Sequence, residues 1–198
     1  MTPSLVRMLL NQMRNFPSPV KWFSISRCFR TERQQKGRLR EFFQLNVDII
    51  GEEEGWADAE LIALSADIMF QLGMNSEDFE IKLNHRELIN SFFRHLSIPE
   101  NLVSELYGII DRSSKQDEEK TREQIEALGL QNHKAQQVHK YLSLSNFDEA
   151  KDFFHTLNIE EINLLDNIYG LLMDYDLEKC IQFDSSIVRG LAYYTGVV

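Results

Sequence analysis

The stretch Lys21–Ile50, KWFSISRCFRTERQQKGRLREFFQLNVDII, decides how the chain is read. It holds two runs of strand character around a basic middle. In Lys21–Arg30, period-two alternation puts Phe23, Ile25, Arg27 and Phe29 on one face and Trp22, Ser24, Ser26, Cys28 and Arg30 on the other. Arg40–Ile50 divides more cleanly, with Phe43, Leu45, Val47 and Ile49 opposite Phe42, Gln44, Asn46 and Asp48. Between the runs lies TERQQKGRL, whose one obvious turn residue is Gly37; the pattern predicts a long-looped antiparallel hairpin. Arg27–Arg40 contains six basic residues and one acid, Glu32, a local charge of +5 in a chain of net −10, so the remaining residues sum to −15. A solvated loop can carry such charge. The adjoining strand face, one aromatic followed by hydrogen-bonding and anionic groups, instead fits a pocket for an anion, a flat ring and an N–H donor.

Before the hairpin, Ser4–Asn15 places Leu5, Met8, Leu9 and Met13 at helical spacing, with Thr2 or Ser4 available as a cap and Pro17 and Pro19 as a stop. After it, Ala57–Leu72 reads as a helix ended by Gly73, and Phe79–Leu83 as a short alternating strand. From Arg86 to about Glu178 the pattern is helical; Leu164, Leu165, Ile168, Leu171 and Leu172 trace one buried face. The charged run RSSKQDEEKTRE within it reads as a solvated turn and helix surface. The last segment, SSIVRGLAYYTGVV, returns to β-type residues and stops in mid-pattern, so the chain reads as a piece of something longer. This divides it into residues 1–85, a helical insertion over 86–178, and a return to the first region over 179–198.

Composition narrows the function classes. The chain has 198 residues, 43% of them hydrophobic and 26% charged, which suits a globular fold with a packed core. An acidic total argues against a surface that is a general nucleic-acid coat, while leaving room for a local basic patch. No apolar run approaches the roughly 18 residues of a membrane span, and MTPSLVRMLLNQMRNF has no signal-peptide pattern. Cys28 and Cys180 form neither a disulfide framework nor a CxxC, which suits a reducing compartment. His85, His95, His133, His139 and His155 lack metal-ligand spacing, Cys28 has no nominated base partner, and no glycine-rich phosphate loop occurs. Phosphate binding would therefore rest on arginines.

FRTERQQKGRLREFFQLNVDIIG, residues 29–51, resembles motif 2 of the class II aminoacyl-tRNA synthetases, in the form found in the histidyl-tRNA synthetase family. VRGLAYYTG, residues 188–196, is similar to that family's second histidine-specific motif. MTPSLVRM resembles the residues just after the arginine–proline–glutamate of its first histidine-binding loop. The three motifs stand in the family's order, with a helical insertion between the second and third, and together cover essentially the whole chain. The resemblance implies an α+β fold: the partial antiparallel sheet of a class II catalytic core carrying a helical insertion. It implies ATP-dependent activation of histidine to histidyl-adenylate and transfer to tRNA(His).

The resemblance also implies residue roles. Arg30 would grip the α-phosphate of ATP and the histidine carboxylate, Glu32 would hold the adenine, Phe42 would stack on it, and Arg38 would reach the outer phosphates. Gln44 would bind the amino-acid backbone, Asp48 the imidazole N–H, and Thr2 the α-amino group. Arg189 would stabilise charge on the far side of the α-phosphate, as a catalytic partner to Arg30, and Tyr194 would hydrogen-bond the imidazole. Two departures stand out: Asp48 occupies a position that is more often glutamate, and Ala192 one where aspartate is common. ATP is the implied substrate, with Mg²⁺ accompanying it and no protein-only metal site. The implied partners are L-histidine, tRNA(His) and, in the full-length enzyme, a second subunit of a homodimer, in the cytoplasm or an organelle and without a membrane.

The family's motif 1, motif 3, anticodon-binding domain and first-loop glutamate have no counterpart within these residues, so the isolated chain is expected to be inactive or nearly so. In the family the insertion clamps the tRNA acceptor stem. Here Asp148–Glu178 carries nine acids and one base, whereas Arg112–Lys140, with six basic and five acidic residues, is the stretch able to approach RNA. The alternative with the same fold is a non-catalytic relative, the histidine-sensing regulatory subunit of ATP phosphoribosyltransferase or a pseudo-synthetase domain of a regulatory kinase. Arg30, Glu32, Arg38 and Arg189, which a pure sensor need not keep, favour the enzyme.

Overall fold

Alternation along Val20–Phe29 (β1) and Glu41–Ile50 (β2) is realised as an antiparallel hairpin whose register runs from Val20 opposite Ile50 to Phe29 opposite Glu41. A computed structural model describes residues 2–12, 15–31, 33, 35–52, 55–188 and 195–198. The chain divides into two compact units, 1–57 and 58–198.

In the first unit, helix α1 (Thr2–Leu10) precedes the hairpin and ends sooner than its periodicity suggests, with Leu9 its buried residue. The two faces of the hairpin differ in a way hydrophobicity alone does not anticipate. Phe23, Phe29 and Phe43 are 73%, 71% and 69% exposed, with Ile25 and Leu45 beside them. Trp22, Ser24, Ser26, Cys28, Phe42, Gln44, Asn46 and Asp48 are half-buried, as are Val47 and Ile49 at one end of the apolar face. The polar face is thus not simply turned to water. Across the apolar face, Arg27 pairs with Glu41 at 3.3 Å and lies over the Phe43 ring at 5.7 Å; both charges are exposed, so the pair contributes little to stability.

The second unit is mostly helical. Helix α2 (Trp56–Gln71) buries Ala59, Ile62 and Ala66 against Leu83, Ile168, Leu172 and Leu177. Strand β3 (Ile81–Leu83) pairs in parallel with β4 (Ile181–Phe183). A parallel pair needs a long crossover, and six helices supply it: α3 (Arg86–His95), α4 (Glu100–Ser113), α5 (Glu118–Ala127), α6 (Asn132–Leu142), α7 (Phe147–Thr156) and α8 (Ile162–Met173). These are the helical stretch read from the sequence. The RSSKQDEEKTRE run spans the end of α4, the turn and the start of α5, mostly exposed, with Thr121 buried beneath it. On α8, Leu165, Ile168 and Leu172 are buried as expected and joined by Ile162, while Leu164 and Leu171 are only half-buried.

The largest core forms where α3 presents Leu88, Ile89, Phe92 and Phe93 to α4, α6, α7 and α8. Phe92 is fully buried, with its ring 5.3 to 6.1 Å from those of Phe93, Tyr141, Phe153 and Phe154. A polar tie joins this core to the small sheet. Asn84 donates to the Tyr141 hydroxyl at 2.8 Å and to the Asp184 carbonyl at 3.2 Å, and Tyr141 donates to the Ser185 carbonyl at 2.9 Å. Burial pushes the Tyr141 phenol well above its ordinary value, so it stays a neutral donor.

Asp184 closes the turn after β4. One carboxylate oxygen accepts from the Ser186 N–H (2.9 Å) and hydroxyl (2.6 Å), the other from Lys82 at 3.0 Å. Burial raises its pKa, but the bonds from Ser186 and Lys82 outweigh it and hold the carboxyl below the usual range. A folded-state pKa below the unfolded one stabilises the fold above the unfolded value, near 4, and that contribution is lost as pH falls through the folded value. For Lys82, whose pKa the hydrogen bond to Asp184 raises, the contribution is lost as pH rises past its own folded value. Asp184→Ala is expected to cost about 1–3 kcal/mol at neutral pH. Urea midpoints of the variant and the wild type should converge below pH 4.

Candidate functional site

The half-buried face of the hairpin gathers most of the residues singled out from the sequence. Along β2, Phe42, Gln44, Asn46 and Asp48 alternate on one side, opposite Cys28, Ser26, Ser24 and Trp22 of β1. Six steps of about 3.3 Å lead from Phe42 to Asp48, so the face offers a track of about 20 Å. Gln44 donates its amide to Asn46 Oδ1 at 2.7 Å, fixing both side chains along the track. At the Asp48 end Phe16 stands edge-on to Trp22, centroids 5.1 Å apart.

Arg30 sits where the ladder ends. Its backbone N–H donates to the Arg40 carbonyl at 2.9 Å, one step beyond the Phe29–Glu41 pair. Its guanidinium lies over the Phe42 ring, 5.2 Å from the centroid. An arginine held by its backbone, with its head exposed on an aromatic, suits planar oxyanion recognition.

The loop between the strands is short-circuited at its tip. Arg38 N donates to the Gln35 carbonyl at 3.1 Å, and Gly37 takes φ +82°, which a non-glycine residue adopts only under strain. This turn presents Arg38 exposed. Thr2 is exposed at the first turn of α1. Phe42, Gln44 and Asp48 are therefore brought onto one face, with Arg30 beside them and Arg38 on the adjoining turn. Glu32, Arg189, Ala192, Tyr193 and Tyr194 lie outside the described residues.

Among the described residues, no three His, Cys, Asp or Glu side chains are grouped to hold a metal ion, and no helix is long and apolar enough to cross a membrane. Cys28 is a half-buried free thiol on the track, and Cys180 a buried one.

Sequence reasoning assigns roles along β2 but none to β1. Trp22, directly opposite Asp48, shapes that end of the track, and its signal in the sequence is its period-two position. Arg86 likewise has no role on sequence grounds; its one signal is a run of polar residues, Asn84–Arg86, after a strand.

Comparison with known proteins gives a consistent result. The family described as histidyl-tRNA synthetase matches residues 1–198. The histidine–tRNA ligase of Arabidopsis thaliana chloroplasts and mitochondria is 33% identical over 198 residues, covering 100% of this chain and 40% of that protein. The crystal structure of histidyl-tRNA synthetase from Nostoc superposes with a TM-score of 0.83 at 24% identity, covering 98% of this chain and 46% of the other. A Bacillus halodurans structure described as an ATP phosphoribosyltransferase regulatory subunit/histidyl-tRNA synthetase does so at 0.83 and 23%, covering 100% and 51%. Both structures share the fold, that of a class II synthetase core. The chain spans less than half the length of the curated relatives it matches. A match along its whole length, with a relative one-third identical over all of it, places the chain in the histidyl-tRNA synthetase family.

Proposed function

We propose that the chain is part of the catalytic core of a histidine–tRNA ligase, activating histidine with ATP and passing it to tRNA(His). The observation that carries this reading is the Arg30–Phe42 pair at the head of a polar track that ends in Asp48. A nucleotide ring and an amino-acid side chain recognised at opposite ends of about 20 Å, with the reacting phosphate between, is the layout an aminoacyl-adenylate requires.

On this reading the adenine stacks on Phe42. The guanidinium of Arg30 now covers one face of that ring, so nucleotide entry exchanges a cation–π contact, worth about 0.5–1 kcal/mol at an exposed site, for ring stacking and an arginine–phosphate bond. Arg30 then holds the α-phosphate against the histidine carboxylate, and Arg38 reaches the outer phosphates from its turn. Gln44 binds the amino-acid backbone. Asp48, a methylene shorter than the usual glutamate, accepts the imidazole N–H through a small shift or a water. Thr2, Glu32, Arg189 and Tyr194 take the roles the resemblance implies, with Arg189 supplying fixed positive charge as the carboxylate attacks. Selectivity follows from polar pairing, since an amino acid without imidazole nitrogens leaves Asp48 and Tyr194 unpaired. Mg²⁺ belongs to the ATP phosphates, and no step here depends on a protein-bound ion.

The helical stretch 86–178 is proposed as the insertion that approaches tRNA through 112–140. Two of its cations already have other contacts. Lys134 donates to the Ser97 carbonyl at 2.8 Å, and Lys140 lies 5.4 Å over the Phe153 ring. A homodimer and a cytoplasmic or organellar location belong to the same reading.

The second reading, a histidine-sensing regulatory subunit, draws on the likeness to the Bacillus halodurans structure and on Ala192 standing where aspartate is common. ATP–pyrophosphate exchange by the protein made from its complete reading frame separates the two. Exchange that needs histidine and no other amino acid supports the ligase; histidine binding without exchange sinks it. The 198-residue chain alone is expected to show little or no exchange.

A further inference from the structure

After β4 the described residues are 184–188 and 195–198. Both stretches meet Arg86. Its guanidinium Nη1 donates to the Val188 carbonyl at 2.7 Å. Its backbone N–H donates to the Gly196 carbonyl at 2.8 Å. Beyond Gly196 the pairing continues, with His85 bridged to Val197 and Asn84 and Val198 exchanging both backbone hydrogen bonds at 2.9 Å. Gly196 itself takes φ +71°, so entry into this pairing uses a backbone conformation that favours glycine. The same guanidinium lies over the ring of the α4 residue Tyr107, 3.8 Å from its centroid. Val188 is fully buried and Arg86 half-buried, which shelters the bond between them from water.

We propose that Arg86 is a positioning residue for Val188 and Gly196, setting the separation of these two points of the chain and tying them to helix α4. This rests on the ligase reading, in which Arg189 and Tyr194, between those two points in the sequence, carry site roles. Arginine suits the role chemically, because a planar cation can donate in its plane to a carbonyl while its face rests on an aromatic ring. Lysine offers a point charge and keeps only the first of these contacts. Tyr107 is in turn held by its hydroxyl bond to Asn90 Oδ1, within the α3–α4 packing. A shift of α4 would thus be felt at Val188 through two contacts.

The test uses the full-length protein with Arg86→Met, Arg86→Lys and Tyr107→Leu, read by histidine-dependent ATP–pyrophosphate exchange and by amide hydrogen exchange. Arg86→Met is expected to raise the KM for histidine and lower kcat, each by about tenfold, with the KM for ATP unchanged, because a misplaced contact penalises both binding and reaction. Amide exchange should quicken in peptides covering 186–198 and stay at the wild-type rate in α3 and α6. Arg86→Lys should recover part of both effects, and Tyr107→Leu should reproduce them more weakly. The proposal is overturned if Arg86→Met leaves histidine KM and 186–198 exchange at wild-type values. It is equally overturned if exchange quickens uniformly through 86–173, which marks a general loosening. A wild-type protein with no histidine-dependent activity, but the same localised response to Arg86→Met, supports the anchoring and rejects the ligase reading instead.

Discussion

Replacing Arg30 with alanine is expected to lower the rate of histidine-dependent ATP–pyrophosphate exchange by about 10²–10³-fold, with the loss mainly in kcat. Its backbone bond to Arg40 fixes the root of the side chain at the head of the track, and on the ligase reading the guanidinium passes from Phe42 to the phosphate when the nucleotide enters. A cation held on the phosphate before the reaction costs little reorganisation when negative charge builds there, and that part of its effect appears only in the transition state. Arg30→Lys should recover only a minor share. It keeps the charge but loses the planar fork that can serve a phosphate oxygen and a carboxylate together. The hairpin should survive both changes, because Arg30 is exposed and its ladder bond is made by the backbone. Unchanged circular dichroism beside the lost exchange is therefore part of the expected result. A variant with wild-type kcat and a raised KM for ATP alone would reduce Arg30 to a ground-state contact.

The second large effect concerns stability. Phe92→Ala is expected to destabilise the 58–198 unit by about 3–5 kcal/mol, seen as a lower midpoint in urea with little change in slope. The ring is fully buried at the meeting point of four other aromatic rings. Its neighbours come from three helices, so closing the cavity would require those helices to move together, and packed interiors resist that. Set against the roughly 5–15 kcal/mol that holds a typical domain, the loss is large. Phe92→Leu, which refills part of the space, should cost distinctly less. If alanine proved as mild as leucine, the core around Phe92 would be collapsing freely, contrary to its tight packing.

The two effects differ in how readily the sequence anticipates them. Arg30 and Phe42 are legible because each belongs to a run with a strict period of two, and because a +5 stretch in an acidic chain draws the eye. Phe92 is less so: it is part of a helical pattern whose partners the pattern does not name. Arg86 has no local signature, since its role depends on carbonyls 102 and 110 residues away in the chain. The track itself is half-legible. Its β2 side follows from alternation, whereas the pairing of Trp22 with Asp48 needs the register.

By itself the sequence determined the local elements and the family: which residues alternate, where helices run, and which motifs stand in which order. These follow from backbone periodicities and from side-chain types close together in the chain. Only the tertiary structure decided that the polar face of the hairpin is half-buried along its length while Phe23, Phe29 and Phe43 stand exposed. It alone decided that β3 and β4 pair in parallel, that Asn84 meets Tyr141 and Asp184, and that Arg86 bonds the carbonyls of both Val188 and Gly196. The reason is physical. Alternation separates two faces without saying which will find a cover, and a hydrogen bond between groups about 100 residues apart leaves no trace in either local pattern.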